Sequence, residues 1–99
     1  MNYTKNIEGS TCLVVMGEKF NFSDYNEFMS IVDNFSGDQN KFVFDFSKVE
    51  FVDSAALGML LLTREEAEKN GVNLELRNPQ GQVAKMFNVS KFNTLFNIT

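Results

Sequence analysis

With 99 residues, 43% hydrophobic and 22% charged, the chain can build one core and is too short for two. A formal net charge of -4 with nine scattered Lys and Arg leaves no basic stripe for a phosphate backbone, which argues against nucleic-acid partners. Histidine is absent and Cys12 is the single cysteine, so imidazole-based catalysis and an internal disulfide framework are excluded.

An edge strand is expected at residues 3–7, followed by a strand at 11–16 that is rich in β-branched residues and ended by Gly17. Its run Leu13-Val14-Val15-Met16 is too short for a signal-peptide core or a membrane span. The expected location is therefore cytoplasmic, without direct membrane insertion, and Cys12 is expected as a buried, inert thiol. Ser23 can cap a helix with Asp24 and Glu27 in its first turn, Phe28, Val32 and Phe35 on its inner face, and Gly37 as its stop. Residues 41–46 are nearly all apolar, which suits a central strand covered on both faces. A helix at 54–70 follows, with Lys69 in its last turn and Asn70-Gly71 as its end.

Residues 72–76 alternate as a half-buried strand should. Asn78-Pro79 reads as an N-cap with proline at the first helical position, leading to a face of Val83, Met86 and Phe87. Phe92, Leu95 and Phe96 repeat that spacing in a short terminal element. The predicted order is β-β-α-β-α-β-α, an α/β domain over residues 1–99 with a small mixed sheet, its core built on Phe, Leu and Val.

Residues 42–58 carry the most information, reading as a buried strand, a short loop and a helix that opens on Ser54. Val52-Asp53-Ser54-Ala55-Ala56 lacks the flanking glycines of a nucleophile elbow, and no imidazole is available as a base. Asp45, Glu50 and Asp53 could suggest magnesium, yet a strand end, a loop charge and a helix cap account for them. No catalytic residue, metal or cofactor is therefore assigned. On the helix, Ala56, Leu57, Leu60, Leu61 and Ala67 can face the sheet, while Ala55, Met59 and Leu62 recur at i, i+4, i+7 on another side. That second stripe fits either a protein-binding patch or a helix wrapped by the domain's own loops.

The run from Phe42 to Gly58 resembles the signature of the STAS family, the domain of bacterial anti-sigma factor antagonists. The matching positions are Asp45, Ser47, Phe51-Val52, Asp53-Ser54, Ala55-Ala56 and Leu57-Gly58. Outside the motif, residues 15–18, 71–76 and 83–96 resemble the family's early turn, later strand and C-terminal helical end. Many members carry Ser or Thr where Ala55 stands and glycine where Ala56 stands, so a neighbouring fallback phosphosite is missing.

This resemblance implies that Ser54 is a phosphoacceptor in partner switching. An anti-sigma-type Ser/Thr kinase with a histidine-kinase-like ATP fold would modify it, and a PPM-type Ser/Thr phosphatase would restore it. The unphosphorylated form would bind a regulatory partner through Asp53, Ser54, Ala55, Met59 and Leu62, with a sigma-factor system or another output downstream. Lys48, in the loop before the motif, could pair with the phosphate, and Gly58 could let the helix start pack closely on the sheet. A constitutive STAS subunit of a membrane transport complex, such as a lipid-trafficking assembly, is the alternative. An enzyme is the weakest of the three readings.

Overall fold

Residues 2–99 are described by a computed structural model, with Ser36 described through its backbone only. In β2 (Thr11–Met16), Cys12, Val14 and Met16 are buried while Thr11, Leu13 and Val15 are half-buried. That is the pattern of a strand with one face on the core. β1 (Tyr3–Glu8) pairs with it antiparallel, from Tyr3 opposite Met16 to Glu8 opposite Thr11. Gly9, at φ 59, opens the connecting turn, as the primed hairpin turns require. β4 (Lys41–Asp45), β6 (Asn73–Arg77) and the short β7 (Asn97–Ile98) then add in parallel, giving the order β1-β2-β4-β6-β7. The expected α/β class and mixed sheet are found, with β7 as an additional strand.

The helices sit where the apolar periodicity places them, but two of their starts differ from the sequence signals. α1 (Tyr25–Val32) is entered through a 3-10 turn, Phe22–Asp24, whose cap is Asn21 and not Ser23. The Asn21 side-chain oxygen accepts from the Ser23 N–H and the Asp24 carboxylate accepts from the Asn21 N–H, each at 2.9 Å. This reciprocal box satisfies more of the free amides than a Ser23 cap would. α2 (Ser54–Asn70) has the expected bounds, closed by Gly71 at φ 67, whose N–H reaches the Ala67 and Glu68 carbonyls. α3 (Gly81–Val89) begins later than Asn78-Pro79 suggests. Asn78 adopts φ 58 and its amide nitrogen lies 3.4 Å from an Asp45 carboxylate oxygen, so Pro79 belongs to the turn off β6.

Within the five-stranded sheet, the residues of the main buried cluster all come from one face: Cys12, Val14, Met16, Phe42, Phe44 and Leu76. α1, α2 and α3 all pack there. Nine of the eleven phenylalanines are buried, and a ring-to-ring path runs Phe44–Phe28–Phe20–Phe46–Phe87–Phe92–Phe96 at centroid separations of 4.9 to 6.2 Å. Offset and tilted ring pairs of this kind add to plain area burial.

β4 is the central strand, as expected, and Phe42, Val43 and Phe44 are buried, so both of its faces are covered. Val43, on the face opposite the main cluster, is buried on a surface it shares with Leu13, Lys41 and Arg77. On that face Glu75 accepts from Arg77 Nε and Thr99 Oγ1, each at 2.8 Å, and Lys41 Nζ lies 3.3 Å away. Burial alone would push the Glu75 carboxyl up. The hydrogen bonds from Thr99, Arg77 and Lys41, with the Arg77 charge, outweigh it and hold the group below the ordinary carboxylate range.

Candidate functional site

The segment before α2 is fixed at nearly every residue. Asp45 accepts from the Ser47 N–H at 2.8 Å, the Val49 N–H reaches the Phe46 carbonyl at 3.0 Å, and the Glu50 N–H reaches the Glu18 carbonyl at 3.0 Å. Residues 51 and 52 form a strand, β5 (Phe51–Val52), parallel to β3 (Lys19–Phe20). Strand alternation then sends Val52 into the core and leaves Phe51 59% exposed. On the edge of β5 away from β3, the Val52 N–H donates to Gln82 Oε1 at 2.9 Å and Gln82 Nε2 donates to the Val52 carbonyl at 3.0 Å.

Asp53 follows as the N-cap, in extended conformation, its carboxylate accepting from the Ala56 N–H at 2.8 Å. Ser54 is therefore the first residue of the helix, and its side chain is exposed. The first amides of an α-helix have no acceptor within it, and with the helix dipole they make this end favourable for an anion. Ser54 thus combines an accessible hydroxyl, a rigid approach segment and a setting that tolerates negative charge.

Of the residues expected to form the partner face, Asp53, Ser54 and Ala55 cluster at the start of α2, and Leu62 is exposed two turns further along. Met59 is a correction: it is 2% exposed and belongs to the core. α2 packs against α1 and the 3-10 turns that flank it, Phe22–Asp24 and Asp33–Ser36, as well as against the sheet. Its buried residues are therefore Ala56, Leu57, Met59, Leu60, Thr63 and Ala67, a face shared between the sheet and α1. The same packing exposes Leu61, which was expected to face the sheet; it is 40% exposed. Ser54, Gly58, Leu61 and Leu62 consequently share one solvent face.

Gly58 is not a packing glycine either, since a Cβ built there meets nothing within 4 Å. Phe51 is the exposed residue that a reading of the helix alone misses. A two-residue strand is too short to show alternation in sequence, and only its pairing with β3 reveals which side faces out.

Lys48 lines two clefts, one with Gly17, Glu18, Lys19 and Asn21 and another with Ser47, Glu50 and Gln80, and neither includes Asp53 or Ser54. Among the described residues no group of three or more Cys, Asp or Glu side chains is disposed to hold a metal ion. No helix among them is long and apolar enough to cross a membrane.

Comparison with known proteins places this geometry in context. The STAS domain model matches residues 2–99. A STAS-domain containing protein of Pseudomonas aeruginosa (strain UCBPP-PA14) is 28% identical over 92 residues, covering 93% of this chain and 91% of its own. Among solved structures, a candidate anti-sigma factor antagonist from Thermotoga maritima superposes with a TM-score of 0.86 at 20% identity, covering 97% of this chain and 84% of its own. The unphosphorylated form of the anti-sigma factor antagonist SpoIIAA gives 0.83 at 18% identity, covering 99% and 88%; its phosphorylated form, from Bacillus, gives 0.76 at 17% identity, covering 99% and 91%. A sulfate transporter family protein from Wolinella succinogenes gives 0.80 at 18% identity, covering 95% and 80%. At these identities the structural matches establish the fold alone.

Proposed function

Because this chain belongs to the STAS domain family, we propose that it is a phosphorylation-controlled interaction module of the partner-switching kind. In its unphosphorylated form it docks a regulatory partner on the exposed face of α2. An anti-sigma-type Ser/Thr kinase transfers the γ-phosphoryl of ATP to the Ser54 hydroxyl and releases the module, and a PPM-type phosphatase hydrolyses the phosphoserine and restores it. The protein is a substrate of these enzymes in the cytoplasm and not itself a catalyst. The observation that carries this reading is the exposure of Ser54 as the first residue of α2, on the same face as Leu61 and Leu62.

The physics of the switch follows from that position. A phosphoserine adds about -1.5 to -2 charge at neutral pH, and the N-terminal end of α2 favours an anion by roughly 0.3 to 1 kcal/mol. The fold should therefore accept the modification. The docking face should not, because a hydrated dianion beside Gly58 and Leu61 has to be desolvated when a partner covers it. A loss of about 3 kcal/mol in binding is more than a hundredfold in affinity. Asp53 adds like-charge repulsion to the phosphate at close range.

The likeness to a sulfate transporter family protein supports a second reading, a constitutive subunit of a membrane transport assembly in which Ser54 only begins the helix. Immobilised wild type and Ser54→Asp, exposed to a lysate of the source cells and read by mass spectrometry, separate the two. The switch predicts a kinase of the histidine-kinase-like ATP fold retained by wild type and lost from Ser54→Asp. That kinase with ATP should then add one phosphate to wild type and none to Ser54→Ala. A transport ATPase held equally by both proteins, or equal labelling of Ser54→Ala, would refute the switch.

A further inference from the structure

We infer that Gln82, on α3, is a positioning residue for Ser54, its carboxamide acting as a surrogate strand neighbour that sets how the serine is presented. The inference rests on the reading of Ser54 as phosphoacceptor. β5 has one strand partner, β3. Along a strand the backbone groups of successive residues point to opposite edges, so the edge carrying the Val52 N–H and carbonyl is turned away from β3. Gln82 satisfies both groups, accepting from the Val52 N–H at 2.9 Å and donating to its carbonyl at 3.0 Å. The planar primary amide offers a donor and an acceptor side by side, as a neighbouring strand would.

What this clamp holds is the peptide that leads directly into the cap and the serine. The Val52 side chain is fully buried, so the residue is fixed inward by packing and edgewise by Gln82. Asp53 then needs only its own bond to the Ala56 N–H to fix the direction of the first helical turn. Gln82 lies in the first turn of α3, whose Val83 and Phe87 are seated in the core. The orientation of the Ser54 hydroxyl is thereby referred to α3, an element distant from it in sequence, and not to the short loop alone.

Only an amide of this length does this. Methionine fills the same space without polar groups, and an ionised glutamate accepts from the N–H while opposing the carbonyl oxygen. Protonated glutamate regains the donor. Three proteins therefore test the inference: wild type, Gln82→Met and Gln82→Glu.

In Gln82→Met the Val52 amide should exchange about tenfold faster, the change expected from one lost hydrogen bond. With the kinase retained by wild type, kcat for Ser54 phosphorylation should fall about tenfold, because the serine is less well oriented. KM should stay unchanged, because Leu61 and Leu62 are untouched. In Gln82→Glu the Val52 and Ser54 amide resonances should move as the introduced carboxyl titrates, which also decides the matter if Gln82→Met fails to fold.

Unchanged Val52 exchange, amide resonances that ignore the titration, or faster exchange with wild-type kcat would each overturn the positioning role. A wild type that gains no phosphate would instead overturn the phosphoacceptor reading, and this role of Gln82 with it, whatever Val52 exchange shows.

Discussion

Gly58→Ala separates what the fold needs from what the docking face needs. Gly58 lies inside α2, and glycine in a helix interior is disfavoured relative to alanine by about 1 kcal/mol. Such a residue is usually retained for a positive φ or a close contact. Neither applies: the position is helical and exposed, and an added Cβ has no neighbour within 4 Å. The substitution should therefore stabilise the isolated domain by about 1 kcal/mol, a rise in melting temperature of roughly 4–8 °C for a domain of this size. Thermal unfolding followed by circular dichroism measures it.

In the same protein, affinity for the kinase partner should fall, since Gly58 sits one helical turn from Ser54 on the proposed contact face and a methyl group keeps the partner surface away. Greater stability with weaker binding is the expected pair. A lower melting temperature would refute the open-space geometry, and a stabilised variant with unaltered affinity would remove this face of α2 from the interface.

Asp53→Ala should cost about 1 kcal/mol through loss of the N-cap bond to Ala56, read as a lower denaturant midpoint at unchanged slope. Glu75 sets an acid sensitivity. Its folded pKa lies below the unfolded value, so its contribution is fully present above the ordinary carboxylate pKa of about 4.3 and is lost as pH falls through the folded value. A glutamine side chain carries no such proton linkage, so Glu75→Gln should be less stable than wild type at pH 7 yet lose less on acidification, as denaturant titrations at several pH values would record. Cys12 is fully buried, and burial raises its thiol pKa against the opposing influence of Lys5, so thiol reagents should label it slowly in the native protein and rapidly in denaturant. Rapid native labelling would contradict its place in the core.

Much of the fold is legible in residue order because it depends on local periodicity. The β-branched run at 11–16 with its stop at Gly17 and the capping and stop signals of 54–70 are local, and the structure keeps both. So is the concentration of Phe, which becomes the ring path beneath the sheet. Where two local signals compete, the sequence misleads. Ser23 and Asn78-Pro79 are plausible caps, but the Asn21–Asp24 box takes the Asn21 and Ser23 amides, and Asn78 turns left-handed with its side-chain amide toward Asp45. β7 is too short to show a period and exists only through its pairing with β6.

The candidate site divides along the same line. Sequence by itself determined that Asp53 and Ser54 stand at the start of a helix after a buried strand, because capping and periodicity are properties of neighbours along the chain. Only tertiary structure decided which side of that helix meets solvent. Packing of α1 alongside α2 took Met59 into the core and turned Gly58 and Leu61 outward beside Ser54, and pairing of β5 with β3 put Phe51 outside and Val52 within reach of Gln82. A helix has more than one apolar side to offer, and the neighbours that choose between them are distant in sequence.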